Sequence, residues 1–121
     1  MADAKTIAED FAAMLRAGQF DEAGEKYWAA DVRSIEAGDL GGMGAVADGI
    51  EALRAKGAWW YANNEIRDFA ADGPYMNGDQ FILKFTMTIV NKATGEGGAG
   101  DEMALYTVRD GKIVEERFFY G

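Results

Sequence analysis

The C-terminal end of the chain has the pattern of two strands joined by a tight turn, and this hairpin constrains the fold most. Its arms cover residues 101–109 and 112–120, and both arms are rich in β-branched and aromatic residues. The Asp110-Gly111 pair between them is a strong hairpin signal. Apolar residues fall on both faces of each arm, whereas a hairpin with one solvated face would alternate apolar and polar residues. The sequence therefore predicts a central hairpin that is covered on both sides.

The length of the loop decides which side chains share a face of this hairpin. A two-residue loop pairs Arg109 with Lys112, and a three-residue loop with a left-handed Gly111 pairs Val108 with Lys112. A shift of one residue moves every side chain of an arm to the other face. We favour the three-residue loop, which places on one face Glu102, Ala104, Tyr106, Val114, Glu116 and Phe118. Carboxylates among apolar strand residues are the main indication of a pocket.

Composition excludes several classes of chemistry. The chain of 121 residues has no Cys and no His, which excludes disulfides, thiol catalysis, Ser-His triads and HExxH metal sites. Acid–base chemistry must then use carboxylates, Tyr, Lys or water. The formal net charge of −9 opposes nucleic-acid binding. No segment resembles a membrane span or a secretion signal, so we expect a cytoplasmic protein that does not bind membranes.

Helical patterns dominate the first half of the chain, and strand patterns dominate the second half. Apolar residues at helical spacing predict helices over residues 3–17, 20–28 and 48–63. Asp3 and Asp48 are expected to cap the first and third helices. Gly57 lies inside the third helix and is expected to pack closely against the sheet. Strands are predicted over residues 32–36, 64–71 and 80–92, a turn region over 73–78, and loops over 37–49 and 94–100.

This order of elements predicts an α+β fold, because helices come early and an antiparallel meander comes late. We expect one domain over residues 1–121. A curved antiparallel sheet of four to five strands would wrap around three N-terminal helices, as a cone with an internal cavity. The outer face of the sheet keeps apolar positions, and a second copy of the chain is expected to cover it.

Four segments of the chain resemble nuclear transport factor 2-like proteins of the SnoaL-like kind, which share a cystatin-like fold. The segments are Phe11 to Gly18, Tyr27 to Asp31 with Ser34 to Glu36, Gly49 to Arg54, and Tyr106 to Glu116. The resemblance covers essentially the whole chain and implies a homodimer formed through the outer sheet face. This fold hosts isomerases, cyclases, dehydratases, hydrolases and non-catalytic binding domains, so it does not specify a reaction.

The resemblance also assigns roles to particular positions. Glu36 lies where ketosteroid isomerases of this fold have an Asp general base. Phe11 lies where those isomerases have the tyrosine that donates to the oxyanion, and Phe118 lies where polyketide cyclases have an acid–base Asp. Phenylalanine cannot donate a hydrogen bond or transfer a proton, so neither chemistry is expected in that form. The dehydratases of this fold depend on His, which the chain lacks.

Three carboxylates are the candidate catalytic residues, because burial raises the pKa of a carboxyl group toward neutrality. They are Glu36, Glu102 and Glu116. The alternative for each is an exposed strand residue or an ion pair with an arginine. The candidate ligand-binding residues are Tyr27, Trp60, Asn64, Tyr106, Phe118 and Phe11. The alternative for the aromatic residues is ordinary core packing, and for Asn64 it is a role at a helix end.

Two functions fit these residues. The first is a pocket domain for a small apolar or aromatic ligand, acting as an isomerase, cyclase or lyase with Glu36 as the base next to a carbonyl group. The second is a non-catalytic small-molecule-binding or protein-association domain with a vestigial pocket. Neither function requires a metal or an organic cofactor. A raised pKa of Glu36 would favour the first function.

Overall fold

The computed structural model describes residues 2–39, 42 and 44–120. The helices in these residues are α1 (Ala4–Arg16), α2 (Phe20–Tyr27) and α3 (Ile50–Asn63). The strands are β1 (Trp28–Ile35), β2 (Val46–Asp48), β3 (Asn64–Asn77), β4 (Gln80–Asn91), β5 (Gly97–Arg109) and β6 (Lys112–Phe119). None of the described helices has the length and apolarity needed to span a membrane. Leu40, Gly41 and Met43 of the predicted 37–49 loop lie outside the described residues.

The strands form one curved sheet in the order β2-β1-β6-β5-β4-β3. Together with the helices, this sheet confirms the α+β class. The sheet is mixed, because β1 runs parallel to β6 while the other neighbouring pairs are antiparallel. The prediction of a purely antiparallel sheet with four to five strands was therefore wrong. A strand's own residues specify which face is apolar but not the direction of its neighbour, and the three residues of β2 lay within the predicted loop.

The C-terminal hairpin closes with a two-residue turn. Arg109 pairs with Lys112. Asp110 and Gly111 both have positive φ, at 53° and 75°, as a type I′ turn requires. The preference for a three-residue loop was wrong, because the Asp-Gly pair adopts the left-handed conformation at both positions.

A β-bulge in β6 then changes the register. The strand pairing shifts beyond the turn and leaves Val114 without a partner. Tyr106 consequently lies opposite Glu116, whereas straight pairing from the same turn would have placed Glu115 there. The bulge therefore puts Glu116 on the inner face, the same face that the predicted loop would have given it.

The edge strand β3 is longer than predicted and contains the single proline of the chain. Pro74 was expected in a turn, but an edge strand tolerates a residue without an N–H group. Two register shifts bend this strand against β4. The Arg16 guanidinium donates to the carbonyl oxygens of Ala71, at 2.9 Å, and of Gly73, at 2.7 Å. These bonds tie the end of α1 to the bent part of β3.

Helix capping agrees with the prediction for α1 but not for α3. The Asp3 carboxylate accepts a hydrogen bond of 2.8 Å from the backbone N–H of Thr6. The N-cap of α3 is Gly49, with φ 90° and no side-chain cap. Asp48 instead forms an ion pair of 3.0 Å with Arg33, its partner in the β1–β2 ladder.

One end of the inner sheet face is filled by α1, and we call it the packed end. Its fully or almost fully buried residues are Ile7, Phe11, Phe81, Tyr106 and Ile113. The Phe11 ring lies edge-on to the rings of Tyr106, at 5.0 Å, and of Phe81, at 6.2 Å. This packing supplies most of the core and fixes the position of β5, which continues toward the other end of the sheet.

Candidate functional site

A cavity of about 500 Å³ lies between the helices and the inner sheet face, beyond the packed end. Its volume falls within the range of small-molecule pockets in proteins. Helix α3 contributes Leu53, Lys56, Gly57, Trp60 and Tyr61 to its wall. The sheet contributes Trp28, Phe85, Met87, Glu102, Tyr106, Glu116 and Phe118, among others. The wall is therefore mostly apolar and aromatic, with a few charged groups.

Strand register brings the carboxylates of β5 and β6 to this cavity. Tyr106 lies opposite Glu116, and Glu102 lies opposite the buried Phe85 of β4. Alternate residues of one strand share a face, so Glu102 and Tyr106 point to the same side. Glu36 directly follows β1 and also lines the cavity. All three candidate catalytic carboxylates thus lie on the cavity wall.

Lys56 forms an ion pair with Glu36 inside the cavity. The side chains of Lys56 and Glu36 are only 17% and 10% exposed. The Lys56 ammonium also donates a 2.8 Å hydrogen bond to the Ser34 hydroxyl and lies 5.2 Å from the centre of the Phe118 ring. The Tyr120 hydroxyl donates to the second carboxylate oxygen of Glu36 at 3.0 Å. Glu36 is therefore held by a cation and a hydroxyl, which makes it a poor candidate for a free base.

Glu102 and Glu116 have no such ion pair among the described residues. Burial, reinforced by the negative charges of Glu36 and Glu116, raises the pKa of Glu102 to about 7. Glu116 is only 7% exposed, and burial raises its pKa too. The positive charge of Lys56 opposes both increases but does not cancel them. The Glu102 carboxyl group can therefore hold or release a proton near neutral pH.

Trp28 adds a hydrogen-bond donor to the same wall. Its indole nitrogen is buried and forms no well-aligned hydrogen bond among the described residues, but it lies close enough to the Glu116 carboxyl group to oppose the rise in the pKa of that group. The ring lies so close to α2 that a Cβ at Gly24 would come within 2.7 Å of it. Gly24 therefore fixes the place of the indole ring. An acceptor atom of a ligand would compete with the Glu116 carboxyl group for this donor.

Gly57 widens the cavity. It lies on the α3 surface that lines the wall, and a Cβ there would meet no atom within 4 Å. The expectation that Gly57 packs closely against the sheet was therefore wrong, because the space beside it is open. Glycine in a helix costs about 1 kcal/mol relative to alanine, and here the chain retains it without a packing reason.

Of the nine predicted site residues, six line the cavity: Glu36, Glu102, Glu116, Trp60, Tyr106 and Phe118. The other three do not line it. Phe11 packs in the core. Tyr27 contacts Phe11 on the far side and donates from its hydroxyl to Asp10. The Asn64 amide donates to the Trp60 carbonyl oxygen at 3.1 Å, in the helix-end role.

Two further residues of the cavity wall, Lys56 and Trp28, were not predicted from the sequence. Lys56 lies three residues after Leu53 and four before Trp60, which places it on the buried stripe of α3. A lysine on an apolar stripe is a sign of a buried partner, and this signal was available. Trp28 follows directly after α2 and gave no such signal, because the position of its ring depends on the missing side chain of Gly24, one helical turn earlier in α2.

The family model for the SnoaL-like domain matches residues 2–120. The chain belongs to the SnoaL-like domain family. Its fold is accordingly the nuclear transport factor 2-like cone. No curated protein was found to match the sequence.

Solved structures give the same assignment for this SnoaL-like domain. A candidate SnoaL-like polyketide cyclase from Mesorhizobium loti, also named a carbohydrate phosphatase, is 47% identical, with a TM-score of 0.92 over 98% of this chain and 100% of its own. A nuclear transport factor 2-like protein of unknown function from Burkholderia pseudomallei is 14% identical, with a TM-score of 0.81 over 100% and 92%. TerC, co-crystallised with polyporic acid, is 17% identical, with a TM-score of 0.78 over 99% and 92%. The latter two similarities concern the fold alone.

Proposed function

We propose that this SnoaL-like domain binds a small, mainly apolar carbonyl compound and transfers a proton at the carbon next to the carbonyl group. The observation that carries this proposal is the placement of Glu102: its carboxyl group lines the cavity and has no ion-pair partner among the described residues. Its pKa of about 7 suits a group that must both accept and return a proton at neutral pH. The proposed base is therefore Glu102 and not Glu36, whose charge is matched by Lys56.

Two hydrogen-bond donors support a carbonyl ligand. The Trp28 indole N–H lies beside Glu116 without a well-aligned hydrogen bond, and the protonated form of the Glu116 carboxyl group can also donate. Either donor would stabilise the negative charge that develops on the carbonyl oxygen when the neighbouring carbon loses a proton. Phe11 supplies no donor, since its ring lies in the packed core.

The name of the Mesorhizobium loti relative supports the cyclase side of this proposal more than the phosphatase side. A polyketide is a chain of carbonyl groups with acidic carbons between them, which suits a carboxylate base. A phosphate ester carries negative charge, and the one lysine of the cavity wall is already paired with Glu36.

Deuterium exchange of an enolisable ketone tests the proposal. Benzylacetone in D2O, followed by proton NMR, should lose its α-hydrogen signals faster with the wild-type protein than with buffer. The rate should rise with pH and level off above about pH 7, where Glu102 is ionised. Glu102→Gln should abolish the acceleration.

Glu96→Gln is the matched control, because it removes the same charge from an exposed position in the β4–β5 loop. It should leave the exchange rate unchanged. Binding of benzylacetone without faster exchange would contradict the proton-transfer role.

The second candidate function is a non-catalytic ligand-binding domain. It is favoured by the phenylalanines at positions 11 and 118, where related enzymes have polar groups, and by the ion pair that occupies Glu36. Benzylacetone binding with unaltered exchange would support this function.

We also propose that the outer sheet face forms a homodimer. Met103 and Phe119 are neighbours across β5 and β6, with 39% and 50% of their surface exposed, and Tyr75 on β3 is 56% exposed. Such apolar surface on a sheet suits a self-complementary contact. Sedimentation velocity should give a dimer for the wild type and a monomer for Phe119→Glu. A wild-type monomer at all concentrations would refute the dimer.

A further inference from the structure

The charges on the cavity wall are unbalanced. Among the described residues that line it, five are acidic: Asp21, Glu36, Asp101, Glu102 and Glu116. One is basic, Lys56, and it is engaged by Glu36 and by the Ser34 hydroxyl. The wall thus has no free cation for an anionic ligand, whereas it has several carboxylates for a cationic one.

Burial makes this imbalance more than a surface property. Glu116 is more than nine-tenths buried, lines the cavity and forms no ion pair among the described residues. The charge of Lys56, the Ser34 hydroxyl and the Trp28 indole favour its ionised form, but they do not offset the effect of burial, which raises its pKa. Glu102 lies on the same face of the sheet, also without an ion pair. An unpaired carboxylate in an apolar environment is destabilising until a partner neutralises it. A protonated amine inside the cavity would supply that partner.

The aromatic wall suits the same kind of ligand. Trp60 and Tyr61 from α3 and Phe69 from β3 line the cavity together with Phe118. The faces of aromatic rings carry partial negative charge and attract ammonium groups, and they also hold an apolar body. The Phe118 ring already interacts with the Lys56 ammonium at 5.2 Å in this way.

We propose that the cavity selects an apolar ligand that carries a protonated amine, over an uncharged ligand of the same shape, and that it excludes carboxylate and phosphate ligands. This inference rests on the ligand-binding part of the proposed function and does not depend on proton transfer to carbon. The amine would lie between Glu102 and Glu116, with the apolar body against the aromatic wall.

The inference fixes the sign of the pH dependence. An amine requires ionised carboxylates, so its affinity should rise as pH increases through the pKa of Glu102, about 7. A ketone that accepts a hydrogen bond from a protonated carboxyl group should bind more weakly over the same range. The titratable and charged groups that face Glu102 or line the cavity with it are Asp21, Glu36, Lys56, Tyr61, Asp101, Tyr106, Glu116 and Tyr120.

Three probes of similar shape test the inference: phenylbutylamine, benzylacetone and phenylbutyrate. Isothermal titration calorimetry of the full chain at about pH 8 should give an amine affinity at least about ten-fold above that of the ketone, and no phenylbutyrate binding. At about pH 5.5 the amine affinity should fall by at least about five-fold. At pH 8, amine binding should release no proton, whereas near pH 7 the measured heat should depend on the buffer's ionisation enthalpy.

Two variants locate the contact. Glu102→Gln should reduce amine affinity by about ten-fold and remove most of its pH dependence, while Glu96→Gln should change neither. Glu116→Gln should also weaken amine binding. If Glu116→Gln fails to fold, Glu102→Gln and the pH series still decide the question, because neither requires that variant.

The outcomes separate this inference from the proposed function. Ketone binding equal to or tighter than amine binding would overturn the amine inference and leave the carbonyl proposal intact. Amine binding without ketone binding would support the inference and remove the carbonyl proposal. Phenylbutyrate binding as tight as that of the amine, or no binding by any probe, would overturn the inference.

Discussion

The two ends of the inner sheet face differ in what fills them. At the packed end, α1 covers the sheet, and the rings of Phe11, Phe81 and Tyr106 pack against each other. Each of these residues is at most 3% exposed. At the other end, α3 covers a cavity of about 500 Å³ lined by carboxylates. Tyr106 belongs to both ends, since its ring packs on Phe11 while it also lines the cavity.

This division between a packed end and an open end allows one small domain to fold and also to hold charged groups in an apolar space. Cavities and unpaired buried carboxylates destabilise a protein. Dense packing at one end supplies the stability that allows the other end to remain open. Substitutions at the packed end should therefore reduce stability, and several substitutions at the open end should increase it.

The largest expected effect concerns the packed end. Phe81→Ala should lower the free energy of unfolding by about 4 kcal/mol, because the fully buried ring leaves a cavity among its neighbours. Phe118→Ala is the matched substitution at the open end and should lower it by only about 1 kcal/mol, since that side chain borders the cavity and is only partly buried. Urea denaturation followed by circular dichroism measures both values, and equal losses would refute the comparison.

A smaller effect, of opposite sign, is expected for Glu102. Its folded-state pKa of about 7 lies above the ordinary value of 4.5, so the folded state binds the proton more tightly than the unfolded state. The stability that proton binding at Glu102 contributes is therefore fully present below about pH 4.5, and it is lost as pH rises through about 7. Glu102→Gln should be about 3 kcal/mol more stable than the wild type at pH 8, at about 1.4 kcal/mol per pKa unit, and nearly equal at pH 4.5.

Urea denaturation at the two pH values measures this difference. Glu96→Gln, which removes a solvated charge, should show no such pH dependence. A Glu102→Gln variant that is no more stable than the wild type at pH 8 would mean that the carboxylate has a partner, and the open end would then be less open than described.

The smallest effect is expected for Gly57. Gly57→Ala should raise the free energy of unfolding by about 1 kcal/mol, because alanine has the higher helix propensity and its Cβ meets no atom within 4 Å. Gly57→Leu should extend into the cavity and weaken the binding of benzylacetone or phenylbutylamine. Thermal denaturation and calorimetry check the two variants. Destabilisation by alanine would show that Gly57 is needed for the backbone and not for space.

The spacing of apolar residues predicted most of the helices and strands, but it did not predict which strands pair with each other. The apolar face of β4 and the stripe of α1 follow directly from their spacing, and both are buried as expected. The parallel pairing of β1 with β6 and the bent end of β3 depend on contacts between distant segments, which one strand's pattern does not encode.

The candidate site shows the same contrast between what the pattern of one strand predicts and what contacts between distant segments decide. Alternation within β5 placed Glu102 and Tyr106 on one face. Glu116 was placed on that face through a three-residue loop that the structure does not have, and the bulge in β6 brings it there instead. The pairing of Glu36 was not foreseen, because the expected partner was an arginine and the actual one is Lys56, 20 positions later on α3. Tyr27 and Phe11 have the residue types of a ligand site. Phe11 nevertheless lies in the core under α1, and the partly buried Tyr27 packs against it.

The bulge at Val114 has a consequence for how such a domain can change over generations. β6 has one residue more in this segment than straight pairing from the turn accommodates, and the bulge absorbs it. Deleting one codon here would remove the bulge and leave Glu116 opposite Tyr106. Straightening the full-length strand would instead bring Glu115 to that position. Because both residues are glutamates, this segment can change in length or pairing without loss of the carboxylate from the cavity wall.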